Sequence, residues 1–373
     1  KQKGVWDIVP KRLFLLKYRF YQNGKDNVMA IPSRPPGPRG KPLVGSLFDF
    51  RRDMIGFFSK IARDYGDIVY FKLGPQKAFF LNHPDFIKDV LVTHHRNFLK
   101  SRVMERAQLL LGTGLLTSEG DFHLRQRRLV QPAFHHSRIA AYGEVMVDYA
   151  AHTGERWQEG GTVDIAQEMM RLTLAIVGKA LFDTDVESEA DTVGEALSQI
   201  LAMFPRISLP FSELLDHLPL PSNRRFMKAR QQLDTIIYRI IESRRASGED
   251  RGDLLSMLLL TQDEEGDGSQ MTDLQVRDEA MTLFLAGHET TANALAWTWY
   301  LLSQNPEVEK QLHDELDTVL GDGLPSVADL EQLVYTRMVF AEAMRLYPPA
   351  WAISRRAREA YEVGGYVVPP GAI

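Results

Sequence analysis

Residues 272–304, TDLQVRDEAMTLFLAGHETTANALAWTWYLLSQ, constrain the fold more than any other stretch. Thr272 and Gln275 stand at capping-box spacing, so hydroxyl and amide can satisfy orphan backbone N–H groups reciprocally, and Asn305-Pro306 closes the segment. The pattern predicts one helix. About 32 residues would span roughly 48 Å, enough to cross a whole domain, and the middle is apolar on nearly every face. Such a helix belongs in the core.

Its middle, Ala286-Gly287-His288-Glu289-Thr290-Thr291-Ala292, is costly there. Gly weakens a helix, β-branched Thr crowds it, and a buried carboxylate needs a partner. Two readings of the bare residues stand open. One is a helix-packing notch with a Glu reaching a cavity or ion pair. The other is an active site, in which Ala286 and Gly287 let a flat ligand approach the backbone while Glu289 and Thr290 relay protons. A zinc-protease helix is excluded, because the second His of that motif would fall at 292, which is Ala.

The chain is long enough for one large domain or two smaller ones, and its 44% hydrophobic and 25% charged residues are ordinary for a globular protein. With 49 acidic and 44 basic side chains, formally −5, it shows no basic field for nucleic acid. There is no cysteine, which excludes disulfides, zinc-thiolate sites and a cysteine nucleophile within these residues. No run of 18 apolar residues exists, so no transmembrane span is expected. The basic, aromatic segment Lys11–Tyr21 reads as a solvated or packed helix, or as one lying on a membrane surface.

Along the chain, Pro32–Pro42 is a stiff extended lead-in. Met54–Tyr65 reads as an amphipathic helix, Asp67–Phe71 and Ala78–Leu81 as strands about a Gly74-Pro75 turn, and Pro84–Val92 as a helix. Lys100–Ser118 reads as loop. Its Gly112-x-Gly114 lacks the third glycine of a dinucleotide loop, since residue 117 is Thr. His123 and Arg127, four apart, share a helix face and could grip one anion or form part of a solvated basic face. Residues 140–245 are mostly helical, with a proline-rich break at Phe204–Ser222. Pro306–Leu320 and Leu333–Leu346 are further helices, the second carrying Glu342 and Arg345 three apart, as an ion pair requires. Residues 350–373 read as strand, turn, strand, with Arg355 and Arg356 on opposite faces. The adjacent pairs His94-His95 and His135-His136 lack i, i+4 spacing, and no side chain is assigned as a metal ligand.

In this order the proline-rich lead-in, His123-x-x-x-Arg127 followed by Pro132-Ala133-Phe134, AGHETT, and Glu342-x-x-Arg345 running into Tyr347-Pro348-Pro349 resemble the cytochrome P-450 haem-thiolate monooxygenases. The resemblance covers about residues 33–373 and implies a mainly α fold with small β-sheets, preceded by an extension over 1–32 without a transmembrane anchor. It implies a haem whose propionates are held by His123, Arg127 and Arg355, with Arg356 as the competing candidate. Ala286 and Gly287 would line the distal face, and Glu289 and Thr290 would deliver protons. Glu342–Arg345 would be a buried structural pair; breaking such a pair costs ~3–5 kcal/mol. O₂, an apolar organic substrate, fatty-acid-like by subfamily resemblance, and electrons from a reductase, ferredoxin or flavodoxin complete the expected reaction. A cytoplasmic location, or one at a membrane surface, follows from the same resemblance.

One family mark is missing. The proximal cysteine belongs in a glycine-rich loop after the Glu-x-x-Arg helix, and these 373 residues contain none. Thiolate ligation is what favours O–O cleavage. The expectation is therefore a catalytic domain truncated at its C-terminus and inactive by itself. A peroxide-rearranging relative on the same fold, and a haemless helical remnant or interaction module, are the competing readings.

Overall fold

The computed structural model describes residues 34–203, 215, 218–260, 262 and 270–373. The 1–32 extension with Lys11–Tyr21, and most of the 204–222 break, lie outside these residues. Two helices open the described chain, α1 (Leu47–Arg52) and α2 (Met54–Tyr65). Asp53 starts α2, its carboxylate accepting the Gly56 N–H at 2.8 Å, as an N-cap should. The antiparallel hairpin β1 (Ile68–Leu73) and β2 (Gln76–Leu81) follows. Both strands run further into the turn than expected, to a Leu73–Gln76 pair, because backbone pairing continues through residues whose side chains carry no alternating pattern. The next helix, α3 (Pro84–Lys88), ends early and continues as a π-helical turn over Asp89–Thr93.

After β3 (Phe98–Lys100), the expected loop is replaced in its first half by α4 (Arg102–Leu111). Three charged side chains in its first five residues obscure its amphipathic period. Helix α5 (Gly120–Val130) places His123 and Arg127 one turn apart, as expected. The helical body comprises α6 (His136–Glu155), α7 (Ile165–Phe182), α8 (Ala190–Leu201), α9 (Pro221–Ser247) and α10 (Leu254–Leu260). The long helix α11 (Asp273–Gln304) has both halves of the Thr272–Gln275 capping box formed. It is followed by α12 (Pro306–Leu320), α13 (Val334–Leu346), β4 (Arg355–Ala357) and the hairpin β5 (Tyr361–Val363) with β6 (Tyr366–Val368).

Helix α11 lies along α7 and touches α9 and α13. Leu174 and Phe182 of α7, Leu233 and Ile237 of α9, Leu254 and Leu258 of α10, and Val276, Met281 and Phe284 of α11 form one core. Burial of each such side chain stabilises the fold by roughly 1.5–3 kcal/mol relative to exposure. The expectation that α11 is buried throughout holds only for its first half. Trp297, Trp299 and Tyr300 are 40–48% exposed, and Trp297 stacks flat on Tyr347 with ring centroids 4.1 Å apart. In the last turn of α9, Arg244 makes a buried two-pronged pair with Asp253, at 2.6 and 2.7 Å, and also donates to the Phe182 carbonyl at 2.9 Å.

The described strands form three two-stranded antiparallel sheets. The pairing of β3 with β4 matters most for the site. It joins an early segment to a late one and sets Lys100 opposite Arg355. No described helix is long and apolar enough to cross a membrane.

Candidate active site

The AGHETT segment divides its side chains between two sides of α11. Ala286 and Thr290, one turn apart, are exposed on one side, with half-buried Glu289 between them. Thr290 Oγ1 donates to the Ala286 carbonyl at 2.6 Å, the bond a mid-helix Thr makes when nothing else receives its proton. The Glu289 carboxyl has no hydrogen-bond partner among the described residues, and burial alone raises its pKa above the usual carboxylate range. Gly287 departs from its expected part in the site. A Cβ there would lie 3.0 Å from Val177 Cγ2, so the close approach it permits is that of α7. His288 is likewise turned to α7. It is buried, bonds the Met170 carbonyl through Nε2 at 3.1 Å, and is held down by burial to a pKa of about 4.

A cluster of cationic side chains stands near the start of α5. The Lys100 ammonium donates to the carbonyls of Leu115 and Ser118 at 3.1 and 2.6 Å. His123 Nδ1 sits 3.3 Å from Ser118 Oγ. Burial lowers the His123 pKa first, and the Lys100 and Arg127 charges lower it further. Arg127 is exposed and has no hydrogen-bond or ion-pair partner for its guanidinium among the described residues. Among the described residues Arg355 donates only to the adjacent Ser354 carbonyl, at 3.0 Å, while its neighbour Arg356, on the other strand face, is paired with Glu105. Like charges directly opposite across a strand pair, as Lys100 and Arg355 are, destabilise the pairing unless an anion compensates.

The loop between α4 and α5 is tied to α11 by two buried acids. Asp278 accepts the Thr113 N–H at 2.8 Å and Glu279 accepts the Leu115 N–H at 3.0 Å. Gly112 has φ +62°, and a Cβ on it would sit 2.1 Å from the Asp278 carboxylate, so only glycine allows this approach. The polar residues Asp278 and Glu279 in an apolar helix were the sequence signal for this contact, and AGHETT drew attention away from them.

Comparison with known proteins decides what these features belong to. Residues 35–373 match the family model described as Cytochrome P450. The chain belongs to the cytochrome P450 family. It is 42% identical over 335 residues to "Cyclooctatin synthase" of Streptomyces melanosporofaciens, covering 89% of this chain and 72% of that one. It is 37% identical over 348 residues to "Cyclooctat-9-en-7-ol 5-monooxygenase" of the same organism, covering 92% and 75%. With "Pentalenene oxygenase" of Streptomyces avermitilis it shares 35% over 337 residues, covering 90% and 74%. The predominantly helical architecture with small sheets is the cytochrome P-450 fold, and the chain is an oxidoreductase of the monooxygenase kind.

The family's cofactor is haem. The donor set fits its two anionic propionates: Lys100, His123, Arg127 and Arg355 converge around the start of α5, and neither guanidinium is ion-paired among the described residues. Lys100 escaped sequence reading because its place depends on the β3–β4 pairing. The Glu342–Arg345 pair is formed, with two bonds of 2.7 Å, yet it is not buried as expected. The side chains are 56% and 66% exposed, because no described residue covers that face of α13. An exposed pair of this kind contributes little.

Proposed function

We propose that this chain binds haem with its propionates on Lys100, His123, Arg127 and Arg355 and its distal face toward Ala286 and Thr290 of α11. The observation that carries this is the cation cluster, with Lys100 and Arg355 opposed across strands and Arg127 unpaired among the described residues. Bound haem supplies the iron that activates O₂, with electrons from a reductase, ferredoxin or flavodoxin. Thiolate ligation would need a cysteine, and none is among these 373 residues.

The chain's own residues do the rest. The open face of α11 is small at Ala286, which leaves room for a flat ring against the backbone. Thr290 can turn its hydroxyl from the Ala286 carbonyl to a water on that face, at the cost of one ordinary hydrogen bond. Glu289, raised in pKa by burial and without a partner among the described residues, is the carboxyl on this face that can hold and pass on a proton. Two relatives' names specify an alkenol and an alkene, both dominated by hydrocarbon. The substrate inferred here is accordingly a mostly hydrocarbon cyclic molecule, which favours this class over the fatty-acid-like one.

Two outcomes test the reading. In the haem-loaded protein Thr290→Ala lowers product formed per electron pair by about 10²-fold, the low end for a positioned proton donor. Unchanged coupling would return Thr290 to a purely helical role. Joint replacement of His123 and Arg127 by Ala weakens haem binding on the order of 10²-fold, measured by absorbance titration, since two charge-assisted bonds are lost. Full retention would remove both from the site.

A further inference from the structure

One buried group near the cluster has no part in the mechanism above. Glu279 is fully buried on α11, and its Oε1 makes no hydrogen bond among the described residues. The side-chain amide of Gln126, on α5, faces the same carboxyl without a bond of normal geometry, and both its polar atoms are unsatisfied. Thr282 Oγ1, one turn along α11, is a further buried polar atom without a partner. Buried polar atoms left unpaired in this way are satisfied by water. Leu115 connects the pocket to the cluster through a single residue: its N–H goes to Glu279 and its carbonyl receives the Lys100 ammonium.

We propose that Glu279 is a proton-coupled counter-charge for the cation cluster. Above neutral pH its carboxyl is ionised while the cluster carries no ligand, and it takes a proton from solvent, through water held by Gln126 and Thr282, when a dicarboxylate ligand settles on the cluster. No bond other than O–H forms, and the proton taken up offsets one of the two negative charges brought in.

The surroundings agree with this. Lys100 on β3 is the cation that stabilises the Glu279 carboxylate, while Asp278 on the same helix opposes it. Arg277, the one arginine on α11, is engaged by Asp234 and Asp278. Arg355 on β4 and Glu119 before α5 act on Lys100, and His123 and Arg127 lie on α5. Burial, the largest influence, pushes Glu279 up to about 7, where a second anion beside Lys100 suffices to protonate it. Ligand affinity is then highest below pH 7. It falls about tenfold per pH unit above that, until the carboxyl ionises in the complex as well.

The proposal rests on the cation cluster holding carboxylates, and the experiment separates the two. Metal-free protoporphyrin IX and its dimethyl ester are titrated into the chain by calorimetry in buffers of different ionisation enthalpy, at pH 8. The work is done in a His123→Asn background, which removes the other group near the cluster that titrates close to neutrality. The expected result is preference for the free acid and uptake of about one proton, abolished by Glu279→Gln. Lys100→Met, which removes the cation that keeps the carboxyl ionised, also abolishes it and stands in if Glu279→Gln does not fold. Equal binding of the ester overturns the carboxylate site and the coupling together. Preference for the acid without proton uptake, or uptake that survives Glu279→Gln or Lys100→Met, overturns the coupling alone.

Discussion

Arg244→Met lowers the unfolding free energy by about 3–5 kcal/mol, read from urea or thermal unfolding at neutral pH. The guanidinium and the Asp253 carboxylate are both about 5% exposed and meet in a two-pronged contact, with the Phe182 carbonyl taking a further N–H. Met replaces the length and apolar stem of Arg without its charge. Asp253 is left with its remaining bonds from the Ser256 backbone and no cation, deep in the helical body. The double variant Arg244→Met, Asp253→Leu recovers most of the loss, because a buried pair removed whole is often nearly neutral. A single-variant cost below 1 kcal/mol would mean that water reaches this pair in solution.

The second large effect is hidden in the wild type. His288 is held down from its ordinary 6.5 to about 4, and Glu279 is pushed up from 4.5 to about 7, each chiefly by burial. Below pH 6.5 the unfolded chain protonates His288 and the fold does not, so stability drains as pH falls toward 4. Above pH 4.5 the unfolded chain ionises Glu279 and the fold does not, so stability drains as pH rises toward 7. Each contribution is worth roughly 3 kcal/mol across its window, and their slopes have opposite sign between pH 4.5 and 6.5. The two contributions therefore nearly cancel there; Glu289, raised, acts with Glu279, and His123, lowered, acts with His288. His288→Gln exposes a decline with rising pH, and Glu279→Gln exposes a decline with falling pH. A urea midpoint that stays level in His288→Gln would show that Glu279 is not shifted, and one that stays level in Glu279→Gln would show the same of His288.

Reading the chain unaided worked where local chemistry decides the structure. The capping box at Thr272 and Gln275, the Asn305-Pro306 stop and the charged period of α12 are signals within one or two turns, and those boundaries agree with the fold. The pairing of His123 with Arg127 on one helix face is local in the same sense. What could not be read depends on distant neighbours. Whether Gly287 meets a ligand or α7 is decided by Val177, and whether Arg355 or Arg356 is engaged elsewhere is decided by Glu105. Exposure of Glu342 and Arg345 is a property of what covers α13, which no pattern inside that helix encodes. The α4 segment was lost for another reason: Gly112 and Gly114 are loop signals, and they end a helix that the charges before them disguise.

The tie between α11 and the α4–α5 loop bears on ligand traffic. Thr113 and Leu115 end their N–H groups on Asp278 and Glu279, and Lys100 fastens the same loop by two carbonyls. Swinging this loop outward strips several buried groups of their partners, each costing about 1–3 kcal/mol. At that cost the open conformation is populated well below one part in a hundred. This wall behaves as a fixed jamb beside α11, and any opening of the loop has to break all of these ties together.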